Sequence, residues 1–382
     1  MTRSYKLLRS LSRWTPPGLR ALVRRFVPAV GYDRYLNALS DPYAQADPVF
    51  EAPGSPCTLG ILRDAFHYHR SYLAACRELG VSYRLLDLTR SDWIRAIEES
   101  ACEAFLVWPS VQLTIWKEMF DDRLRIMVED LGKTIYPTLK ETWLYESKRR
   151  IHDWLTAHGL PRPRTWVFYN VDEAREFVRN ADLPLVFKTS LGASTRGVSI
   201  LRGRRQAQRM VEKAFSRGIV PRRFHPNDRQ WGSVYLQEYL PNLQEWRMVR
   251  IGDSYFGYRK ERRGDFHSAS HCWSWLDPPR PLLDMLRRVT ETGGFTSMDV
   301  DVFLTEDGRL LVSEMQTVFG ASTPADQLRV DGKPGRYLYD EQTDRWIFEE
   351  GDFCRNECAN ARVEYLIHKI LKVSPCSPCL SR

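Results

Sequence analysis

Long apolar runs are missing from this sequence, and no stretch approaches the roughly 20 apolar residues that a membrane-spanning helix needs. No signal peptide is recognisable either, which predicts a cytoplasmic location and reduced thiols for the eight Cys. The sequence also lacks a Ser-His-Asp or Cys-His pattern for nucleophilic catalysis. Where a Gly-rich dinucleotide fingerprint would follow the first predicted strand, the chain has Arg63-Asp64-Ala65-Phe66. We therefore expect neither a membrane span nor dinucleotide binding.

Net positive charge is scarce outside the N-terminus. The formal net charge is +8, and residues 1–35 carry all but one of these charges, with eight Lys or Arg against the single acid Asp33. The nearly neutral remainder argues against a nucleic-acid-binding body. Leucines at helical spacing in residues 1–54 predict a basic amphipathic arm and linker. This arm either contacts an anionic surface or packs on the protein's own body.

Strands and helices alternate in residues 55–136, as in TLGILRD, then HYHRSYLAACRELG, then SYRLLDLT. This alternation predicts a small parallel α/β domain. A helix is expected over residues 143–158, because Gly159 and Pro161 supply stop signals after it. At 382 residues the chain is long enough for two or three domains.

Residues 297–320, SMDVDVFLTEDGRLLVSEMQTVFG, predict a hairpin with its tight turn at Asp307-Gly308. Glu314 and Gln316 are two residues apart and point to the same side of their strand. With Asp301 they would place three oxygen ligands near the neck of the hairpin. Such a set suits Mg²⁺, which binds through a few carboxylates and completes its shell with water and phosphate oxygens. The alternative is a surface hairpin with incidental acids.

Upstream of the hairpin, Lys148 lies in the predicted helix, and Lys188 ends the apolar strand PLVFK. A Gly-containing loop follows, with Gly192, Ser194 and Gly197. Backbone N–H groups in such a loop can close on phosphates. Each signal is weak alone, and an ordinary hairpin explains the loop equally well.

The order of these motifs, with QEYL and EWR between them, resembles that of ATP-grasp ligases over residues 137–323. The hairpin resembles that of D-alanine–D-alanine ligases, and EWRMVRIGD with RKERRGDFHS resembles the ribosomal-protein glutamate ligases. The resemblance implies an α/β fold with α+β lobes: a preceding α/β domain, a first lobe over 137–236, a second lobe over 237–323 and a C-terminal extension over 324–382.

The resemblance also implies a role for each motif residue. Two lysines would hold the α- and β-phosphates, the Gly loop would cover the triphosphate, and three residues before Pro241 would meet the adenine. One acid would bind the ribose, basic residues would face the transferred phosphate, and the hairpin would hold two Mg²⁺ ions, or Mn²⁺ instead. In that order, these residues are Lys148 and Lys188; Gly192, Ser194 and Gly197; Glu238, Tyr239 and Leu240; Glu245; Arg247 and either Arg259 or Lys260; and Asp301, Glu314 and Gln316.

Two departures from the family pattern bear on the chemistry. The family usually has Asn where Gln316 stands, so the second metal ion is expected to be held differently. The glutamate ligases have Arg and Asn where His267 and Ala269 stand, so the substrate is expected to differ. His267 and His271 could act as general bases or serve structural roles, and Trp273 and Trp275 could line an acceptor pocket or only pack.

The reaction predicted from the resemblance is ATP-dependent joining of a carboxylate to an amine, or to a thiol, through an acyl phosphate. The partners would be small-molecule or peptide substrates, and the sequence leaves open whether the protein forms an oligomer. A kinase with the same cleft and a non-catalytic ATP-binding module are the alternatives. Residues 324–382 would cap the acceptor site or form an oligomer interface. The pairs Cys354/Cys358 and Cys376/Cys379 could bind zinc, although Cys in chain ends are commonly incidental.

Overall fold

The computed structural model describes residues 48–64, 67–111, 113–192, 197–221, 228–262, 273–319 and 328–373. The predicted basic arm therefore lies almost entirely outside the described residues. So do Ser194, His267, Ala269, His271 and the pair Cys376/Cys379. Within the described ranges, no helix has the length and apolar character needed to cross a bilayer.

The first unit consists of the strands β1 (Val49–Phe50), β2 (Thr58–Leu62), β3 (Ser82–Leu86), β4 (Ala104–Leu106) and β5 (Ile135–Tyr136), with the helices α1 (His69–Glu78), α2 (Trp93–Glu99) and α3 (Thr114–Glu129). The strand order is β1-β3-β2-β4-β5. Strands β2 to β5 are parallel, as the strand–helix alternation predicts, and β1 is antiparallel to β3. Apolar side chains cover both sheet faces, which is typical of a parallel sheet.

The next segment holds α4 (Leu139–Leu144), α5 (Lys148–Ala157), β6 (Thr165–Phe168), α6 (Val171–Asn180), β7 (Leu185–Lys188), β8 (Val198–Leu201), α7 (Arg204–Ser216) and β9 (Val234–Glu238). Strands β6 to β9 form an antiparallel sheet in the order β6-β9-β7-β8. Helices α6 and α7 pack on it through Ala174, Val178, Ala207 and Val211.

The helix expected over 143–158 is in fact two helices. Helix α4 begins with a capping box, in which the Thr138 hydroxyl and the Glu141 carboxylate satisfy each other's backbone N–H groups. The chain then turns at Glu146, whose φ of +56° is left-handed, and α5 starts at Lys148. This break is what brings the Lys148 ammonium group to the N-terminus of a helix.

The third unit contains β10 (Gln244–Ile251), β11 (Ser254–Lys260), β12 (Trp273–Ser274), α8 (Arg280–Gly293), β13 (Ser297–Leu304), β14 (Leu310–Gln316), β15 (Arg329–Val330), β16 (Lys333–Asp340) and β17 (Arg345–Glu350). Its sheet runs β14-β13-β10-β11-β16-β15, with β12 beside β11 and β17 beside β16. Helix α8 covers one face through Leu282, Leu283 and Leu286. Strands from residues 324–382 thus extend the same sheet.

Helix α5 and the end of the chain both connect units. Ile151, Trp154 and Leu155 of α5 belong to the core of the third unit, so α5 is anchored against β14 rather than only to its own sheet. The last helix, α9 (Arg355–Tyr365), is followed by a π-helical turn at Leu366–Ile370. Its Val363, with Leu366 and Ile367 of that turn, lies in the core of the first unit. The terminal helix expected from 355 to 372 is therefore shorter, and Asn356, Glu357 and Cys358 adopt left-handed φ within it.

Candidate functional site

One face of the third sheet carries a row of charged side chains. Antiparallel pairing places Arg247 opposite Asp301, and Asp301 opposite Glu314, on β10, β13 and β14. Glu245 lies opposite Lys260 on β10 and β11. Because directly paired residues in an antiparallel sheet point to the same face, these five side chains share one surface. The alternation seen in the sequence therefore translates into a single charged row.

Asp301 is the centre of this row. Its carboxylate accepts hydrogen bonds from Arg247 Nε at 3.0 Å and Arg247 Nη2 at 3.2 Å. Lys260 donates to Asp301 and also to Glu245 Oε1 at 2.8 Å. Burial raises the pKa of Asp301, but Arg247 and Lys260 outweigh it and lower that pKa to about 2. Asp301 is thus a carboxylate at neutral pH.

The segment from α4 to β9 contributes two lysines to the same cluster. Lys148 Nζ lies 2.8 Å from Glu314 Oε1 and donates a 2.9 Å hydrogen bond to the Gly192 carbonyl. Burial lowers the pKa of Lys148, but Glu314 and Glu146 outweigh it, so the net shift is upward. For Glu314, Lys148 outweighs the effect of burial and the pKa falls below its ordinary value. Burial lowers the pKa of Lys188, at the end of β7, to about 8.

The Gly loop after β7 is held close to that strand. Thr189 donates its backbone N–H to the Gly197 carbonyl at 2.9 Å. A Cβ at Gly197 would lie 1.8 Å from Thr189 Oγ1, so only glycine fits there. Gly192 has a φ of +139°, which also favours glycine. The structure places both ends of the loop beside Lys148 and Lys188.

The segment between β9 and β10 crosses from one antiparallel sheet to the other. Glu238 ends β9, and its carboxylate accepts from the backbone N–H and the Nε of Arg164, both at 2.7 Å. Its backbone N–H is bonded to the Arg164 carbonyl at 2.9 Å. Tyr239 and Leu240 follow, half-buried, with the Arg202 guanidinium 6.0 Å from the Tyr239 ring. The Glu238 backbone N–H is therefore already bonded within the protein. If this segment binds adenine as predicted, the backbone donor must come from a residue after Glu238.

The structure separates the two neighbours Arg259 and Lys260. Lys260 is paired with Glu245 and joins the charged row, whereas Arg259 is paired with Trp246 on the opposite face. The Arg259 guanidinium donates to Glu261 Oε1 at 2.7 and 2.9 Å. Of the two candidates for the transferred phosphate, only Lys260 is brought to the cluster.

Gln316 lies two residues after Glu314 on β14, opposite Asp299. Its amide donates a 3.3 Å hydrogen bond to Glu146 Oε1. Asp299 and Glu146, which sequence reasoning did not assign to the site, are both buried there. Burial raises the pKa of Glu146 to about 7 and that of Asp299 well above its ordinary value. The alternation of β13 already put Asp299 on the Asp301 face, but its burial depends on residues distant in sequence.

In the part of the chain that the structure describes, no three His, Cys, Asp or Glu side chains converge as a ready metal site. Asp301 and Glu314 are instead ion-paired with basic side chains. Their oxygen donors, with the Gln316 amide oxygen, are the hard ligands that Mg²⁺ takes. Cys354 and Cys358 are buried thiols that are not joined in a disulfide. Trp273 and Trp275 have ring centroids 6.5 Å apart near the end of β11.

Comparison with known proteins identifies the fold. No protein-family model matches the chain. A D-alanine–D-alanine ligase of Chromohalobacter salexigens is 27% identical over 177 residues, which are 45% of this chain and 55% of the ligase. The chain therefore spans about half the length of that relative.

Among solved structures, the biotin carboxylase domain of a Hydrogenobacter thermophilus 2-oxoglutarate carboxylase, in complex with MgADP and bicarbonate, has a TM-score of 0.53 at 17% identity, covering 70% of this chain and 65% of its own. The ADP complex of Staphylococcus aureus N5-carboxyaminoimidazole synthetase also has a TM-score of 0.53, at 12% identity, covering 77% and 85%. An ATP-grasp ligase bound to its minimal precursor has a TM-score of 0.50 at 15% identity, covering 72% and 95%. The chain has the ATP-grasp fold, and the predicted fold class is confirmed.

Proposed function

We propose that this ATP-grasp protein is an ATP-dependent ligase that activates a carboxylate as an acyl phosphate and joins it to an amine. The observation that carries the proposal is the convergence of Lys148, Lys188, Arg247 and Lys260 with Asp301 and Glu314 between the two antiparallel sheets. The nucleotide complexes among the structural neighbours support it, because they hold ADP or MgADP.

The basic side chains are suited to a triphosphate. Lys188 ends a strand of one sheet, Lys148 begins α5, and Arg247 and Lys260 lie on the other sheet. A polyphosphate between the sheets would therefore meet positive charge on both sides. The backbone of the loop from Gly192 to Gly197 would cover it. Lys148, Arg247 and Lys260 are ion-paired with carboxylates of the cluster. When phosphates take the cations, the carboxylates become available to metal ions.

The nucleoside would lie toward the crossing segment. Glu245 is two residues before Arg247 on β10, which puts its carboxylate about 7 Å nearer that segment. We assign it to the ribose hydroxyls, and Tyr239 and Leu240 to the adenine edge. The Glu238 backbone N–H is less suited to bind the base, because it already donates to the Arg164 carbonyl.

Asp301, Glu314 and Gln316 would hold Mg²⁺. The fit rests on the donor set, which is two carboxylates and an amide oxygen on adjacent antiparallel strands, with buried charge on Asp301. Bound Mg²⁺ would offset the negative charge of the phosphates. Arg247 and Lys260 would stabilise the charge that develops on the transferred phosphoryl group.

The reaction proceeds in two steps. An oxygen of the substrate carboxylate attacks the γ-phosphorus of ATP, the bond from that phosphorus to the bridging oxygen breaks, and ADP leaves. The amine nitrogen then attacks the acyl carbon, the bond to the phosphate oxygen breaks, and phosphate leaves while the nitrogen loses a proton. Exclusion of water between the two sheets protects the acyl phosphate from hydrolysis.

Hydroxylamine trapping tests this function. The protein is incubated with MgATP, a panel of carboxylates and hydroxylamine, and hydroxamate and phosphate are measured. A ligase gives hydroxamate with one class of carboxylate, and Glu314→Ala abolishes it while the protein stays folded. Glu306→Gln, in the exposed hairpin turn, is the control and keeps full activity. A stable phosphomonoester without amine dependence would indicate a kinase. Nucleotide binding without turnover of any carboxylate would indicate a non-catalytic module.

A further inference from the structure

The charged face of the third sheet has three successive levels along β13. Phe303, opposite Glu245, marks the first, Asp301 the second, and Asp299, opposite Gln316, the third. Neighbouring levels are two residues apart, which is about 7 Å along a strand. If the proposed function is correct, the ribose lies at the first level and the transferred phosphate at the second. The two substrates that react at that phosphate, the carboxylate and then the amine, lie on its far side, toward the third level.

The third level carries two buried carboxyl groups. Asp299 is 0% exposed, and its Oδ2 lies 3.0 Å from Arg247 Nε. Among the described residues, neither oxygen of Asp299 has a hydrogen-bond donor, and Oδ1 is buried without a partner there. Glu146, 3% exposed, reaches this level from the turn between α4 and α5. Its Oε1 accepts from Gln316, and its Oε2 is buried without a partner.

Two buried carboxyl oxygens without partners in the described part of the chain therefore lie beside Gln316, at the end of the row where the substrates are expected. A buried acceptor without a donor costs free energy, so these oxygens are expected to receive a ligand's donors. Arg247 does not neutralise both carboxylates, because Asp301 also shares its guanidinium. A carboxylate ligand would bring no donor, whereas an ammonium group would bring three donors and a positive charge that favours the ionised form of both carboxyl groups.

A metal ion is the other cation that carboxylates attract. Mg²⁺ needs oxygens that converge in near-octahedral geometry, whereas Asp299 lies opposite Gln316 and Glu146 accepts from the Gln316 amide, so the two carboxyl groups are on different sides of that side chain. An ammonium group needs only acceptors spread around it at hydrogen-bond distance. The separated positions of Asp299 and Glu146, on β13 and in the α4–α5 turn, fit the ammonium group better.

We propose that Asp299 and Glu146 bind the protonated amine of the second substrate and hold it beside the transferred phosphate. Before its nitrogen attacks the acyl carbon, the bound ammonium group releases one proton to a carboxylate beside it. The substrate class that follows is a primary amine carried as ammonium at neutral pH, such as the α-amino group of an amino acid. This assignment rests on the proposed function and extends it to the choice of nucleophile.

The experiment compares two nucleophiles that differ in charge. Hydroxylamine is uncharged at neutral pH, so it traps the acyl phosphate without an ammonium site. Amino acids and short polyamines, supplied as a panel, arrive as ammonium and compete with hydroxylamine for the acyl phosphate. The variants Asp299→Asn and Glu146→Gln keep shape and remove charge. For both, we expect hydroxamate formation to be retained and the KM of the productive amine to rise about tenfold or more.

Two controls isolate the effect. Glu245→Gln, at the ribose level, should raise the KM for ATP and leave the amine KM unchanged, and Glu306→Gln should change neither. The unfolding midpoint of every variant is measured, and the two independent substitutions guard against the loss of one to misfolding.

Three results would overturn the assignment. In the first, both variants lose hydroxamate formation as strongly as amine transfer, which would put the two carboxylates on the phosphate side. In the second, the Mg²⁺ concentration for half-maximal hydroxamate formation rises in Asp299→Asn, which would make Asp299 a metal ligand. In the third, the wild-type protein makes hydroxamate but no ammonium-bearing amine competes. Absence of hydroxamate in the wild type would instead contradict the proposed function itself.

Discussion

The Lys148 ammonium group and the Glu314 carboxylate lie 2.8 Å apart, joining the first turn of α5 to the last strand of the hairpin. Lys148 is expected to bind phosphate and Glu314 to bind Mg²⁺, so without nucleotide each serves as the other's counterion. The pair is 7% and 20% exposed, and its members shift each other's pKa toward the charged form.

A double-mutant cycle measures this ion pair. Lys148→Met and Glu314→Gln each leave a largely buried partner uncompensated, so each should lower the free energy of unfolding. The double variant should lose less than the two losses combined, with a coupling energy of roughly 1–3 kcal/mol. Urea unfolding of the nucleotide-free proteins gives the four values. Strict additivity would show that the two groups do not interact.

Nucleotide affinity should depend on pH through Lys188. Because burial lowers the pKa of Lys188 to about 8, the ammonium form prevails below that pH and the neutral amine above it. Only the charged form attracts phosphate, so affinity is retained below about pH 8 and falls as the pH rises through it. Titration calorimetry with a non-hydrolysable ATP analogue from about pH 7 to about pH 9.5 tests this.

The matched variant for this measurement is Lys188→Arg, because a guanidinium stays charged throughout the range. Its affinity should be nearly independent of pH over the interval in which the wild type weakens. An equal fall in both proteins would mean that another group titrates.

Arg259 and Lys260 offer a test of strand geometry, because they are adjacent in sequence and point to opposite faces. Lys260→Met removes the cation shared by Glu245 and Asp301, so it should reduce ligase turnover by two orders of magnitude or more. Arg259→Met breaks only the half-buried pair with Glu261 and should retain most activity. Steady-state phosphate release compares them, and equal losses would contradict the assignment of Lys260.

Arg362 connects the end of the chain to the hairpin. Its Nε donates to Ser297 Oγ at 2.9 Å, its Nη1 donates to the Glu357 carbonyl at 3.1 Å, and its guanidinium lies 5.0 Å from the Phe319 ring. Ser297 in turn exchanges hydrogen bonds with Thr317 at the start of β13 and the end of β14. Arg362→Met should therefore lower the free energy of unfolding by about 1–3 kcal/mol, measured by urea unfolding.

The control for Arg362 is Arg288→Met, which removes an exposed guanidinium from α8 and should change stability by less than about 0.5 kcal/mol. If Arg362→Met behaves like Arg288→Met, the buried guanidinium does not anchor the hairpin.

The sequence by itself determined the local features on which the site depends. A two-residue period puts Asp299 and Asp301 on one side of β13, and Glu314 and Gln316 on one side of β14, because side chains alternate in any strand. Strand–helix alternation predicted the parallel sheet, and the ordered motifs predicted the ATP-grasp fold. These inferences succeed because they depend on spacing along the chain.

Tertiary structure decided which of these side chains are buried and which of them come together. The dense basic run from Arg259 onward looks uniform in sequence, and only the pairing of β11 with β10 selects Lys260 for the charged row. Burial of Asp299 and Glu146 depends on α5 packing in the core of the third unit, and the C-terminal helix returns to the first unit. Such contacts join residues far apart along the chain. Their side-chain environments, and thus the pair of buried carboxyl groups at the end of the site, arise only when the units pack together.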